Sequence, residues 1–176
     1  VVLAAKRHKV PVITHESDMT PGLANKICIP SAAKVCCNFP ETLKYLPADK
    51  AVLTGSPIRA ELLRGDHLSG LSYAHLSAGK PVILVIGGSL GSVTVNTAVR
   101  KILPRLLPDF QMIHICGKGN LDEGLIGTAG YVQYEYVDAP LKHLFAAADL
   151  IVSRAGANSL CEILALRKPN LLITLS

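Results

Sequence analysis

Three features are scarce in this sequence, and each absence excludes a class of protein. Aromatic residues make up only 5% of the 176-residue chain and form no stacking pattern beside the basic residues, which argues against a nucleic-acid-binding domain. The five cysteines show no C-x-x-C spacing, so neither a zinc site nor a disulfide framework is indicated. No apolar stretch reaches the roughly 18 residues that a bilayer requires, and no secretory signal is visible. Together these features predict a cytoplasmic protein with buried, reduced thiols.

Basic residues, by contrast, exceed acidic ones, and the net charge is +5. An excess of this size suits an anionic partner such as a nucleotide diphosphate, a nucleic acid or an acidic membrane surface. The densest basic cluster, at residues 6–9, is interpreted as a solvated helix end.

The second part of the chain alternates apolar runs with helical segments. The apolar runs predict strands at 82–86, 112–116, 131–137, 149–153 and 170–174. Helices are predicted between them at 93–107, 141–148 and 157–166. A repeated strand–helix–strand order of this kind predicts a doubly wound α/β fold with a parallel sheet.

The first sixty residues show a shorter version of the same pattern. Strands are predicted at 10–15, 34–38 and 51–54, with helical segments at 22–29 and 40–45. Residues 61–80 show no strong periodicity, and we expect them to join the two parts. The boundary is therefore predicted near Arg59, with residues 1–59 ending one Rossmann-like domain and residues 60–176 forming most of another. Since the chain begins and ends inside predicted elements, we expect a fragment that lacks both termini.

A glycine-rich loop, G-G-S-L-G-S at residues 87–92, lies between the first predicted strand of the second part and its helix. Glycines allow a ligand to approach the backbone closely, and the N–H groups at the start of a helix favour an anion such as a diphosphate. The loop matches neither G-x-G-x-x-G nor the Walker motif. A tight turn for helix–sheet packing explains it equally well.

A second polar group, at residues 153–162, follows the strand predicted at 149–153. Gly156 permits an unusual turn, and Glu162 falls about one turn into the next helix, where its carboxylate is able to accept two hydrogen bonds from a ribose diol. Arg154, directly at the strand end, suits an anionic or carbonyl partner. The alternatives are a first-turn acid favoured by the helix dipole and a surface cation.

A third group, at residues 14–26, includes His15, Glu16 and Asn25. Polar side chains directly after a strand, followed by Gly22 at the opening of a helix, suit recognition of hydroxyl groups. A structural hydrogen-bonded pair of His15 and Glu16 is the alternative. The other histidines of this chain show no partner at ligand spacing.

Together and in this order, these groups resemble the MurG family of bacterial glycosyltransferases. The family segments H-E-Q-N and G-x-x-N-K resemble residues 15–18 and 22–26, and G-N-P-V-R resembles residues 55–59. The segment G-G-S-Q-G-A resembles residues 87–92, and R-(A/S)-G-A-x-(T/S)-x-x-E resembles residues 154–162. The chain departs from the family at Ser17 and Asp18, which replace Gln and Asn, and at Leu90, which replaces Gln.

The resemblance implies a GT-B fold with an acceptor domain at residues 1–59 and a donor domain at residues 60–176. The implied substrate-binding residues are Arg59, Gly88, Ser89, Leu90, Gly91, Tyr136, Val137, Arg154 and Glu162. Among them, the loop with Ser89 would contact the diphosphate and Glu162 the ribose. Tyr136 and Val137 would meet the uracil, with Arg154 in the same pocket and Arg59 at the interdomain cleft. His15, Glu16 and Asn25 would face the acceptor and the sugar.

The family transfers GlcNAc from UDP-GlcNAc to lipid I, which is undecaprenyl-pyrophosphoryl-MurNAc-pentapeptide, and so makes lipid II for peptidoglycan synthesis. The resemblance implies inversion at the anomeric carbon without metal or cofactor, at the anionic cytoplasmic face of the bacterial membrane, with no nucleic acid as partner. The family's candidate base, a His, and its GlcNAc-reading Gln loop lie outside this chain, so we expect the fragment alone to be inactive. Another UDP-sugar transferase or epimerase of the GT-B type, and a non-catalytic nucleotide-binding module, are the alternatives.

Overall fold

A computed structural model of the chain describes residues 1–87 and 91–174. It divides into two compact units, Val1–Pro57 and Ile58–Ser176. Arg59 therefore belongs to the second unit, whereas the sequence pattern assigns it to the first. The physical reason is the 3-10 turn Ala60–Arg64 that Arg59 precedes, because this turn buries Leu62 in the core of the second unit.

The first unit contains a three-stranded parallel sheet. Its elements are α1 (Val2–Arg7), β1 (Ile13–Glu16), α2 (Leu23–Cys28), β2 (Lys34–Cys37) and β3 (Ala51–Leu53), with 3-10 turns at Ile29–Ser31 and Pro40–Tyr45. The strands lie in the order β1-β2-β3. A small core forms around Val35 and Cys37 of β2, together with Ala32 and Leu46.

The second unit contains a five-stranded parallel sheet with helices between the strands. Its strands are β4 (Val82–Ile86), β5 (Gln111–Ile115), β6 (Tyr131–Tyr134), β7 (Leu150–Arg154) and β8 (Asn170–Ile173). Its helices are α3 (His67–Tyr73), α4 (Val93–Leu106), α5 (Leu141–Ala147) and α6 (Ala157–Ala165), and a short 3-10 turn lies at Glu123–Leu125. The strands lie in the order β6-β5-β4-β7-β8, all parallel. The predicted α/β class is confirmed.

Alternate residues of β4 explain why both faces of this sheet are covered. Successive side chains of a strand point to opposite faces. Leu84 packs with the core that includes residues of α3 and α5, whereas Ile83 and Val85 pack with the core that includes Val95 and Val99 of α4. An apolar run without polar interruptions is therefore required at residues 82–86.

Helix α3 lies in the stretch that the sequence pattern leaves as a connection, and that expectation is wrong. The Asp66 carboxylate caps α3 by accepting a hydrogen bond of 2.7 Å from the Ser69 N–H. A Cβ on Gly65 or Gly70 would collide with a backbone carbonyl of α5. Because α3 has only seven residues and buries Gly70 and Leu71, it is too short for apolar periodicity to reveal it.

The strand order reverses beside β4, and this reversal positions the site. The chain leaves β4 toward β5 and β6 on one side and returns to β7 and β8 on the other. In open α/β sheets, ligands bind outside the carboxyl ends of the strands at such a switch point. The carboxyl ends of β4 and β7 are at Ile86 and Arg154. Among the described residues, no helix is long and apolar enough to cross a membrane.

Candidate functional site

Two adjoining pockets lie at the switch point of the second unit. The first, the Glu162 pocket, encloses about 160 Å³ and is lined by Arg59, Ile86, Ile115, Glu135, Tyr136, Val137, Leu141, Phe145, Ser159, Glu162 and Ile163. The second, the Arg154 pocket, encloses about 360 Å³ and is lined by Gly87, Ser153, Arg154, Ala155, Gly156, Ser159 and Thr174. Ser159 lines both pockets, so they adjoin each other.

A bidentate ion pair between Arg59 and Glu162 lines the Glu162 pocket. Arg59 donates from Nε to Glu162 Oε1 at 2.8 Å and from Nη2 to Oε2 at 3.1 Å. Glu162 is 15% exposed and Arg59 is 49% exposed. The hydrogen bond to Glu162 raises the pKa of Arg59 above its ordinary value, against the opposite effect of burial. The pair fixes the direction in which the carboxylate faces.

The remaining wall of the Glu162 pocket is largely apolar. Val137 and Phe145 are buried, and so is Ile163 of α6, whereas Tyr136 is 67% exposed. Tyr136 and Val137 lie two and three residues after the end of β6, where the backbone leaves the sheet. An apolar wall facing a carboxylate suits a ligand that combines a flat ring with hydroxyl groups.

The Arg154 pocket combines a cation with the start of a helix. Helix α6 begins after Gly156, and within the described part of the chain no side chain caps its first N–H groups. Such N–H groups carry a partial positive charge and favour an anion. Arg154 lines this pocket and not the Glu162 pocket, and its expected role in the pocket of Tyr136 and Val137 stays a prediction. It ends β7, which lies on the far side of β4 from β6.

Only the ends of the glycine-rich loop are described. Gly88, Ser89 and Leu90, three of the predicted contacts, lie outside the described residues. Gly91 has a φ of +71°, and a Cβ there would collide with the Cys116 carbonyl. Glycine is thus required at Gly91 by helix–sheet packing, as the tight-turn alternative proposes.

Helix α4 follows the loop, and Ser92 caps its start. The Ser92 hydroxyl accepts a hydrogen bond of 3.4 Å from the Val95 N–H. This cap satisfies one N–H group of the first turn of α4.

In the first unit, Glu16 and Asn25 are structural. The buried Glu16 carboxylate accepts hydrogen bonds from the Asp18 N–H, the Gly22 N–H and Asn25 Nδ2, at 3.0, 2.9 and 2.9 Å. Burial acts to raise the pKa of Glu16, but these bonds together outweigh it and lower the pKa. The carboxylate therefore holds the loop 17–22 in place.

His15 pairs with a different partner. Its Nε2 lies 3.1 Å from the Gly55 carbonyl, while the His15 carbonyl accepts a hydrogen bond of 3.1 Å from Asn25. The alternative of a hydrogen-bonded His15–Glu16 pair is therefore wrong. Both residues are structural, but each is hydrogen-bonded to other partners. Roles of His15, Glu16 and Asn25 toward an acceptor stay predictions.

His114 is the residue whose importance the sequence pattern misses. It is fully buried in β5 and lies 2.8 Å from the Tyr131 hydroxyl and 3.0 Å from Asn96 Oδ1. Burial, aided by the charge of Arg100, lowers its pKa to about 4. A histidine inside an apolar strand run, as in M-I-H-I, is the signal that was available.

The described residues also bear on metal binding. Within residues 1–87 and 91–174, no three His, Cys, Asp or Glu side chains lie close enough together to hold a metal ion. The predicted lack of a metal stays a prediction.

A doubly wound sheet whose switch point carries a carboxylate, an apolar wall and an uncapped helix start is typical of nucleotide-binding α/β domains. A family model described as the glycosyltransferase family 28 C-terminal domain matches residues 82–176. The chain belongs to that family.

Curated relatives extend the match to the whole chain. Proteins of Lachnoclostridium phytofermentans and Lachnospira eligens are 64% and 63% identical over all 176 residues. Both are named UDP-N-acetylglucosamine--N-acetylmuramyl-(pentapeptide) pyrophosphoryl-undecaprenol N-acetylglucosamine transferase. Because the match covers 50% of each relative, the chain spans about half the length of the curated relatives it matches.

A solved structure agrees with the fold. The crystal structure of Acinetobacter baumannii MurG is similar with a TM-score of 0.68 and 25% identity. The similarity covers 99% of this chain and 48% of that one. The predicted resemblance to the MurG family and the predicted glycosyltransferase fold are confirmed.

Proposed function

We propose that this chain is part of an N-acetylglucosaminyltransferase and that its second unit holds the donor, UDP-GlcNAc. The observation that carries the proposal is the pair of adjoining pockets at the switch point, which share Ser159 as a lining residue. The names of the curated relatives supply the identity of the sugar nucleotide.

The two pockets suit the two chemical halves of a nucleotide sugar. In the Glu162 pocket, the apolar wall with Tyr136 and Val137 receives the uracil, and Glu162 accepts hydrogen bonds from the ribose diol. In the Arg154 pocket, the start of α6 and the Arg154 charge receive the diphosphate. The sequence predicts that Ser89 and the glycine-rich loop add further contacts to the same phosphates.

The reaction follows from the charge that develops on the donor. A hydroxyl of the acceptor attacks the anomeric carbon of GlcNAc with inversion and gives its proton to a general base. The bond from that carbon to the diphosphate oxygen breaks, its electron pair stays on the oxygen, and UDP leaves. Helix starts and cations at the diphosphate stabilise the leaving group. We expect the isolated chain not to catalyse transfer, because it spans half the length of its relatives. Formation of lipid II by purified residues 1–176 would contradict this expectation.

The acceptor we propose is lipid I, and the product is lipid II. The names of the relatives specify a pyrophosphoryl-undecaprenol acceptor, and such a polyprenyl chain stays in the bilayer. We therefore propose that the complete enzyme acts as a peripheral protein at the anionic cytoplasmic face of the membrane. Its test is sedimentation with anionic vesicles, which should retain the complete enzyme, and with neutral vesicles, which should not.

Calorimetric titration tests the donor site directly. We expect the chain to bind UDP-GlcNAc and UDP but not ATP, because the Glu162 pocket receives uracil. Glu162→Gln keeps the volume of the side chain and removes its charge, so it should weaken UDP binding by about tenfold, the usual cost of one charged hydrogen-bond acceptor.

A second acid serves as the matched control. Glu123 is exposed in the turn Glu123–Leu125 and lines neither pocket. Glu123→Gln makes the same change in net charge and should bind UDP as the wild-type chain does. A folded chain that binds ATP as well as UDP, or no uridine ligand at all, would contradict the proposed donor site.

A further inference from the structure

Three buried polar side chains form one chain of hydrogen bonds in the second unit. The Tyr131 hydroxyl lies 2.8 Å from His114 Nδ1, and His114 Nε2 lies 3.0 Å from Asn96 Oδ1. Asn96 Nδ2 donates in turn to the Cys116 carbonyl at 2.9 Å. We call Tyr131, His114 and Asn96 the polar relay. Its members are 5%, 0% and 2% exposed, so water does not satisfy them.

The donor and the acceptor of each hydrogen bond in the relay follow from the bond between Asn96 and the Cys116 carbonyl. Because the Asn96 amide donates through Nδ2, its Oδ1 accepts, and His114 Nε2 must carry the proton. His114 Nδ1 then accepts from the Tyr131 hydroxyl. Burial keeps His114 neutral by lowering its pKa to about 4. The relay therefore has a single arrangement of donors and acceptors.

The relay ends beside Gly91 and the start of α4. Asn96 is the fourth residue of α4, and its N–H donates to the Ser92 carbonyl at 2.8 Å. The Cys116 carbonyl, which Asn96 binds, is also the group that a Cβ on Gly91 would strike. One amide thus joins the start of α4 to the end of β5, next to Gly91.

Apolar packing alone does not provide this fixation. Val95, Val99 and Leu103 hold α4 against the sheet, but contacts of this kind are not directional and allow the helix to slide along its axis. A hydrogen bond to a defined carbonyl sets the axial position. Replacing a whole buried polar group by apolar residues of the same shape is often nearly neutral for stability, so stability does not account for the relay.

Gly87, which lines the Arg154 pocket, packs against the backbone of Ser92 at the start of α4. We propose that Tyr131, His114 and Asn96 are positioning residues that set the start of α4 for the diphosphate of the donor. This proposal rests on the proposed function of the second unit. Binding groups must be held within roughly 0.5 Å of the productive position to be effective. The relay fixes the position of α4 relative to the sheet, and none of its members contacts the ligand.

Comparing two ligands tests the proposal, because uridine lacks the diphosphate that UDP carries. We expect Asn96→Ala to weaken UDP binding by about tenfold while uridine binding changes by less than about twofold. His114→Phe and Tyr131→Phe, which lie progressively farther along the relay, should have progressively smaller effects on the same ratio. Titrations followed by NMR measure both dissociation constants, and Tyr131→Phe preserves the core should the other variants fail to fold.

Gln111 provides the control at the opposite end of β5. It is buried, and its amide donates to the Ser77 and Lys80 carbonyls at 2.7 and 3.1 Å. Gln111→Leu should lower the melting temperature and leave the ratio of UDP to uridine affinity unchanged.

The outcomes separate this proposal from the one on which it rests. If the wild-type chain binds UDP and uridine, and the relay variants weaken both equally or neither, the relay is merely structural and this proposal alone is overturned. If the wild-type chain binds neither ligand, the proposed function fails, and the positioning role fails with it. A change in the ratio for the relay variants, absent in Gln111→Leu, supports the proposal.

Discussion

Arg59 and Glu162 are 103 positions apart in sequence, yet each carboxylate oxygen of Glu162 accepts one hydrogen bond from Arg59. Each of these oxygens has two lone pairs, so one on each remains for a ligand. The guanidinium thus orients the carboxylate without occupying it fully. A ribose diol is able to bind to Glu162 while the ion pair persists.

The coupling between these two residues is the first prediction. Arg59→Lys keeps the charge but loses the planar fork that contacts both oxygens. In a double-mutant cycle with Glu162→Gln, the free energies of unfolding should give a coupling of about 1 kcal/mol or less, because Arg59 is half exposed. Urea denaturation of the four proteins measures it. The same cycle with Glu123→Gln in place of Glu162→Gln should give no coupling. A coupling as large as the one with Glu162→Gln would refute a specific interaction between Arg59 and Glu162.

Two glycines with the same backbone conformation provide the second prediction. Gly91 and Gly119 have φ values of +71° and +73°, but only Gly91 faces a backbone carbonyl where a Cβ would be placed. Gly119→Ala should therefore cost about 1–2 kcal/mol for the left-handed conformation alone. Gly91→Ala should cost a further 1–3 kcal/mol, roughly, because the Cys116 carbonyl must move. Thermal denaturation measures the decrease in the free energy of unfolding for each variant. Equal decreases in the two variants would show that the predicted collision is absent.

The third prediction concerns pH. Burial lowers the pKa of His114 from 6.5 to about 4, so between these values the unfolded chain binds a proton that the folded chain does not. The contribution of His114 to the free energy of unfolding is complete above pH 6.5 and is lost as pH falls toward 4. The full loss amounts to about 3 kcal/mol.

Urea denaturation at several pH values measures this loss. Glu16 adds a loss of its own, but only below its unfolded pKa of 4.5, so the window from pH 5 to 6.5 isolates His114. In His114→Gln the decline across that window should be smaller than in the wild-type chain. An identical decline in both proteins would rule out His114 as its source.

The sheet of the second unit was predictable because its strands are nearly continuous apolar runs. Residues 82–86 must be apolar on both faces, and the sequence pattern displays this requirement directly. Helix α3 was missed because it is short and because Gly70 approaches the backbone of α5 in place of a larger apolar side chain. Such a contact does not appear in the pattern of apolar and polar side chains along the sequence.

The residues of the candidate site were easier to predict from the sequence than their arrangement in space. Glu162 and Arg59 were identified by motif, but their ion pair joins distant segments and depends on the fold. The motif did not show that Arg154 and Tyr136 line neighbouring pockets, because their relative position is set by strand order. For His114, the partners come from α4 and β6, so no local spacing indicates them.

Gly65, which precedes α3, and Gly70 of α3 affect the shape of the Glu162 pocket. Leu141 and Phe145 of α5 form part of its wall, and the backbone of α5 packs against these two glycines. A Cβ at either glycine would displace α5 and so change the width of the pocket. On the proposed function, substitution of either glycine would therefore alter which bases the pocket accepts, although every residue that lines it stayed the same.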